Sequence, residues 1–124
     1  MAKFGALSGI RVLEIGGQAV EHCGRLLADL GAEVIKVEPS SGAMSRTLAP
    51  FAGDVVGVER SLYFLNANAN KKSVVLDLMN EGDQARFQDI VGRSDVVLED
   101  FIPGRLDSLD LGFDSLQKMN PNIV

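Results

Sequence analysis

The feature that most constrains this chain is a pair of β-branched runs separated by a single amphipathic helix. "IRVLEI" (Ile10–Ile15) reads as a strand, and "EVIKVE" (Glu33–Glu38) reads as another, ended by Pro39. Between them, Gly16 and Gly17 punctuate the first strand, and the period then changes. From Ala19 onward, Val20, Cys23, Leu26, Leu27 and Leu30 recur at three- and four-residue steps, which predicts a helix with one apolar stripe. Gly31 supplies the left-handed stop that helices favour. Strand, helix and strand within about thirty residues make a βαβ unit, whose strands are parallel and whose crossover is right-handed. Cys23, the single cysteine, falls on the apolar stripe and is read as a small core residue rather than a nucleophile. One cysteine excludes an internal disulfide framework and suits a reducing cytoplasm.

The alternation continues. Residues 39–70 form a long excursion, expected to be flexible and to carry one short helix near Ser61–Leu65. "SVVLDL" (Ser73–Leu78) is a third strand. A helix follows, with Asn80 as N-cap, acidic residues in its first turn, and Phe87, Ile90 and Val91 on one face. "DVVLEDF" (Asp95–Phe101) is a fourth strand, "IPGRLDSL" a turn entering a short helix, "GFDSLQKMN" another short helix, and "PNIV" the first residues of a fifth strand. The class is therefore α/β, a Rossmann-like, mainly parallel sheet flanked by helices. The 124 residues fit one domain. A net charge of −5 argues against nucleic acid as a partner, because phosphate backbones are held by Lys and Arg. No apolar run approaches a membrane span, and "MAKFGALSG" lacks the apolar core of a signal peptide, so a cytoplasmic chain is expected.

The glycine turn invites comparison with a dinucleotide loop, which needs glycine at its first, third and sixth positions. Here Gly16 is followed by Gln18 at the third and Glu21 at the sixth. The bulk of Gln18 obstructs a pyrophosphate and the charge of Glu21 repels it, although Glu38 stands where a ribose-binding acid would be. NAD is therefore set aside. A plain tight turn is the alternative to a ligand loop. What favours a ligand is location: Gln18, Glu38, Asp77 and Asp100 all fall at the carboxyl ends of strands, the edge where open α/β sheets bind ligands. His22 matches a polar helix-surface residue. No set of residues is spaced to hold a metal.

Four stretches carry a resemblance when taken in order: "RVLE", "LGAEVIKVEP", "NANKKSVVLDL" and "DVVLEDFIPG". Together they resemble the N-terminal part of the class III CoA-transferases, a family that includes formyl-CoA and carnitine CoA-transferases and α-methylacyl-CoA racemases. The resemblance implies a Rossmann-like large domain, incomplete here, and a partner chain, either a second copy in an interlocked homodimer or a complementary chain. It implies coenzyme A or an acyl-CoA as ligand, lying along the strand ends. It also implies an Asp that attacks the acyl-CoA thioester, giving a mixed anhydride and then an enzyme–CoA thioester. That Asp belongs to a stretch beyond "NPNIV", so no catalytic residue is assigned. Asp29, Asp54, Asp77, Asp95 and Asp100 are read as solvated or turn-capping carboxylates. The implied CoA contacts are Gln18 and Ala19 after the first strand, Leu76 and Met79 after the third, and Asp100, Phe101 and Ile102 after the fourth. Phe101 either stacks on adenine or belongs to the core. Pro39, Ile102 and Ser108 stand where relatives place basic residues; Arg105, Lys71 and Lys72 either substitute for those phosphate contacts or are ordinary surface charge. The alternative function is a free-standing, non-catalytic module that associates with itself or with another protein.

Overall fold

The computed structural model describes residues 4–124. Its centre is a four-stranded parallel sheet: β1 (Arg11–Ile15), β2 (Glu33–Glu38), β3 (Lys72–Val75) and β4 (Val96–Glu99), in spatial order β3-β2-β1-β4. Arg11 lies opposite Glu33 and Ile15 opposite Val37, Val12 pairs with Val96, and Ile35 pairs with Lys72. The order reverses direction between β1 and β4, so their carboxyl ends frame a crevice. β3 and β4 are shorter than the sequence predicts. Past Val75, only the Leu76 N–H still reaches the Glu38 carbonyl before the chain turns. After β4, the Phe101 N–H turns back onto the Glu99 carboxylate. At the outer edge of β4, Val124 N–H donates to the Asp95 carbonyl and Val97 N–H to the Val124 carbonyl, a parallel-type pair of bonds, but the expected fifth strand is not formed as an element among the described residues.

Alternation along the strands sends side chains to two different layers. Leu13, Ile15 and Val37 pack with Phe87 and Val91 of α3 (Glu81–Val91) and Leu116 of α4 (Phe113–Met119). Val12 and Val34 pack with Ala28 and Ala32 under α1 (Gln18–Asp29). α3 starts as expected, with the Asn80 side chain accepting from the Gly82 and Asp83 N–H groups.

The buried arc of α1 differs from the predicted stripe. Cys23, Leu26 and Leu30 are exposed, the two leucines at 51%, while Val20, Glu21, Gly24 and Ala28 are buried. Cys23 is thus a surface thiol, not a core residue. The helix turns its small residues inward because charged side chains fill the space beneath it. A Cβ on Gly24 would lie 1.8 Å from Glu14 Oε2 and 3.2 Å from Lys71 Nζ. The Glu14 carboxylate cannot retreat, since both its oxygens are held by lysines. Gly24→Ala is accordingly expected to cost about 1–3 kcal/mol as an overpacking change. Gly92, whose Cβ would meet only ordinary contacts from 3.5 Å outward, is the control. Thermal melts in which G24A matches G92A would contradict the packing described.

The excursion over 39–70 carries two 3-10 turns, Met44–Thr47 and Ala52–Asp54, and then α2 (Leu62–Ala67). It is tied down at both ends. The Ser61 hydroxyl donates to the Ser45 and Leu48 carbonyls and accepts from the Phe64 N–H, capping α2. Arg46 clasps Glu38 and lies over the Phe64 ring at 3.8 Å.

Candidate functional site

A cleft of about 410 Å³ opens at the carboxyl ends of the strands. Its floor is Ile15, Val37 and Leu76. One wall comes from the loop after β4, with Asp100, Phe101 and Arg105, and the other from Pro39, Ala43 and Met44. Gln18 closes one end and Met79 borders the β3 side. The lining is mainly apolar with a few polar groups, as small-molecule sites commonly are.

The glycine turn is not a vacant phosphate cradle. Gly17 N–H donates to Asp100 Oδ1 at 2.7 Å, from a residue 83 positions later in the chain. Gly17 is the N-cap of α1 and has no side chain to cap it, so the Asp100 carboxylate supplies the negative charge that a helix start favours. Gly16, at φ +131°, has no room for a side chain, because a Cβ there would sit 2.1 Å from the same oxygen. The anion that this loop holds is the protein's own.

Of the residues expected to contact a ligand, Gln18, Leu76, Met79, Asp100, Phe101 and Arg105 line the cleft together. Phe101 is 36% exposed and half-open to the cleft rather than part of the core. Ala19 is exposed at the start of α1, and Ile102 borders a neighbouring hollow with Pro103 and Gly104. Lys71 and Lys72 do not line this cleft; of the two readings open for them, Lys72 fits ordinary surface charge and Lys71 fits neither. The Lys71 ammonium is buried, and its three hydrogens go to Glu14 Oε2, the Glu21 carbonyl and Asn68 Oδ1. Burial pushes Lys71 below the usual lysine range, and the Glu14 carboxylate partly opposes that shift. Lys72 starts β3, at the opposite end of the sheet, where it pairs with Glu33. Two adjacent lysines on a strand entry face different ways, which their neighbouring positions already require.

Glu21 and Glu38 also have roles other than those the glycine turn suggested. Glu38 accepts from Arg46 twice, from the Ser73 hydroxyl and from the Ala43 N–H, which leaves its carboxylate committed to the fold rather than to a ribose. Glu21 points beneath α1 to Lys36 at 2.9 Å and the Ser45 hydroxyl at 2.6 Å. With Glu14 and Lys71 these groups form a buried cluster of two carboxylates and two ammoniums. The cluster fastens the start of α1, which carries Gln18, to the turn that carries Met44. Sequence reasoning missed Met44, Ala43 and this cluster. Glu14 and Lys36 are register partners on one sheet face, but nothing local to either strand announces it. No group of three His, Cys, Asp or Glu side chains among the described residues is placed to hold a metal ion. No helix among them is long and apolar enough to cross a membrane.

Fold and cleft together define an α/β protein of Rossmann-like topology with an apolar-lined crevice at its switch point. Comparison with known proteins carries this to a family. The profile of CoA-transferase family III matches residues 7–124, and the chain belongs to that family. It is 38% identical over 121 residues to a succinyl-CoA:mesaconate CoA-transferase of Haloarcula hispanica, covering 97% of this chain and 31% of that protein. It is 43% identical over 100 residues to an acetyl-CoA:oxalate CoA-transferase of Acetobacter aceti, covering 80% of this chain and 24% of that protein. The crystal structure of a CAIB/BAIF family protein from Brucella suis superposes with a TM-score of 0.88 at 36% identity, covering 97% of this chain and 32% of that one. The chain thus spans under a third of the length of these relatives.

Proposed function

We propose that this chain is the CoA-binding N-terminal portion of a class III CoA-transferase or acyl-CoA racemase. It binds coenzyme A or an acyl-CoA in the strand-end cleft as a single Rossmann-like domain over residues 1–124. The observation that carries the reading is the union of an apolar crevice with one cation, Arg105, that has no carboxylate partner among the described residues. Gln18, Leu76, Met79, Asp100 and Phe101 line the ligand, with Ala19 and Ile102 at the rim. Because Asp100 already occupies the start of α1, the pyrophosphate lies nearer Arg105 than the glycine turn. Acyl transfer in the family needs a nucleophilic Asp, a role assigned to none of these residues, so what is proposed for this portion is ligand binding; a partner, a second copy or a complementary chain, and a cytoplasmic setting are proposed with it.

Calorimetric titration with CoA tests the reading. Binding is expected, weakening as salt rises, and Arg105→Gln should lower the affinity about tenfold, as loss of one charge-assisted contact does. Pantetheine, which has no phosphates, should bind R105Q and the parent alike. Absence of heat at millimolar CoA would overturn the proposal.

A second reading, association with itself or another protein, draws on the exposed Leu26 and Leu30 of α1. Light scattering that shows a dimer, together with no affinity for CoA, would favour it.

A further inference from the structure

Two loops that border the cleft from different strands meet through an unusual pair. Met79 follows β3 and Arg105 follows β4, and an Arg105 guanidinium N–H donates to the Met79 sulfur at 3.6 Å. Met79 stands on a braced turn. Its N–H donates to Asp77 Oδ1, the Asp77 N–H donates to Asp83, and the Gln84 amide holds the Leu78 carbonyl. The residue is nonetheless 65% exposed, on the surface where small oxidants are met. A thioether is a weak acceptor, and the contact leaves Arg105 able to turn to a better one.

We infer that Met79 is an oxidation-sensitive modification site which, as the sulfoxide, captures Arg105 and withdraws it from anionic ligands of the cleft. The oxidant is hydrogen peroxide. A sulfur lone pair attacks one peroxide oxygen, the O–O bond breaks, and that oxygen stays on sulfur while the other leaves as water after taking up the proton. Sulfur is oxidised by two electrons and the peroxide is reduced by two. The product places a strongly polar S–O oxygen against a guanidinium that is already aimed at it. Charge-assisted bonds to such an oxygen are far stronger than those to a thioether. Methionine sulfoxide reductases reverse the change, so the clasp is resettable.

The ligand consequence rests on the proposed CoA site, whereas the clasp itself does not. Mild hydrogen peroxide treatment of the full chain, with the oxidised methionines located by mass spectrometry, separates the two. Side-chain NMR of Arg105 reads the clasp directly: its Nη–H signals are expected to shift and exchange more slowly once Met79 is oxidised. If they do not move, the inference fails whatever CoA does. If they move, CoA affinity is compared before and after peroxide within each variant. The parent should lose about tenfold and regain it with the reductase. Met79→Leu should show an unchanged ratio, and Met119→Leu, which lies outside the cleft, should respond as the parent does. An equal loss in M79L assigns the effect to other methionines and overturns the inference. If the untreated parent does not bind CoA, the CoA reading fails while the NMR result still decides the clasp.

Discussion

Lys36→Met is expected to lower the stability of the protein by about 3–5 kcal/mol, the range for removing one partner from a buried ion pair. Lys36 Nζ reaches Glu14 Oε1 at 3.0 Å and Glu21 Oε1 at 2.9 Å, and its side chain is 1% exposed. Methionine fills a similar volume, so the loss comes from stranding charge rather than from a cavity. Glu21 suffers most, because its Oε2 already lacks a hydrogen-bond partner and only Ser45 would remain on Oε1. The loss is a large share of the roughly 5–15 kcal/mol that holds a domain together, so much of the chain is expected to unfold at modest denaturant. Urea denaturation measures it. Adding Glu21→Gln to the variant should recover part of the loss, because that change removes the stranded charge, and the double-mutant cycle isolates the pair. A loss below about 1 kcal/mol, typical of a surface ion pair, would show that the cluster does not carry the buried charge described.

The second large effect is acid sensitivity at Glu38. Hydrogen bonds from Arg46 hold its carboxyl down to about 2 from an ordinary 4.5; burial opposes this, and Ser73 and the Ala43 N–H add to it. A depressed carboxyl stabilises the fold when ionised. Its contribution is complete above about pH 4.5, falls as the pH drops below that, and is gone near pH 2. A shift of this size corresponds to on the order of 3 kcal/mol. Stability curves of the parent and Glu38→Gln should therefore differ by about that much more at pH 6 than at pH 2. Parallel curves would remove Glu38 as the source. The effect reaches the cleft, because Glu38 also anchors Ala43 and Arg46, which set the position of Met44.

The elements themselves were largely legible. The Asn80 cap and the helix at 113–119 follow from local spacing, and Gly31 takes the left-handed backbone expected of it at φ +106°. The short helix near Ser61 is present, displaced by one residue at its start and two at its end. The cleft was legible in outline, because strand carboxyl ends in a parallel sheet share one edge whatever their spacing. Its far wall was not. Ala43 and Met44 come from a segment with no periodicity, and they are placed by an arginine that grips a carboxylate on β2.

What the sequence determined by itself was the alternation of strands and helices, the parallel sheet this implies, and the edge of that sheet on which the cleft opens. Those follow from periods and caps that act over a few residues. Only the tertiary structure decided which arc of α1 turns inward, that Lys71 is buried while Lys72 stands at the far end of the sheet, and that Asp100 fills the glycine turn. Each of those outcomes depends on partners far apart in the chain. Burying charge costs more than burying a leucine returns unless the charge is paired. Once Glu14, Lys36, Glu21 and Lys71 meet beneath α1, they claim the space next to Gly24, and the stripe of Cys23, Leu26 and Leu30 is left facing out.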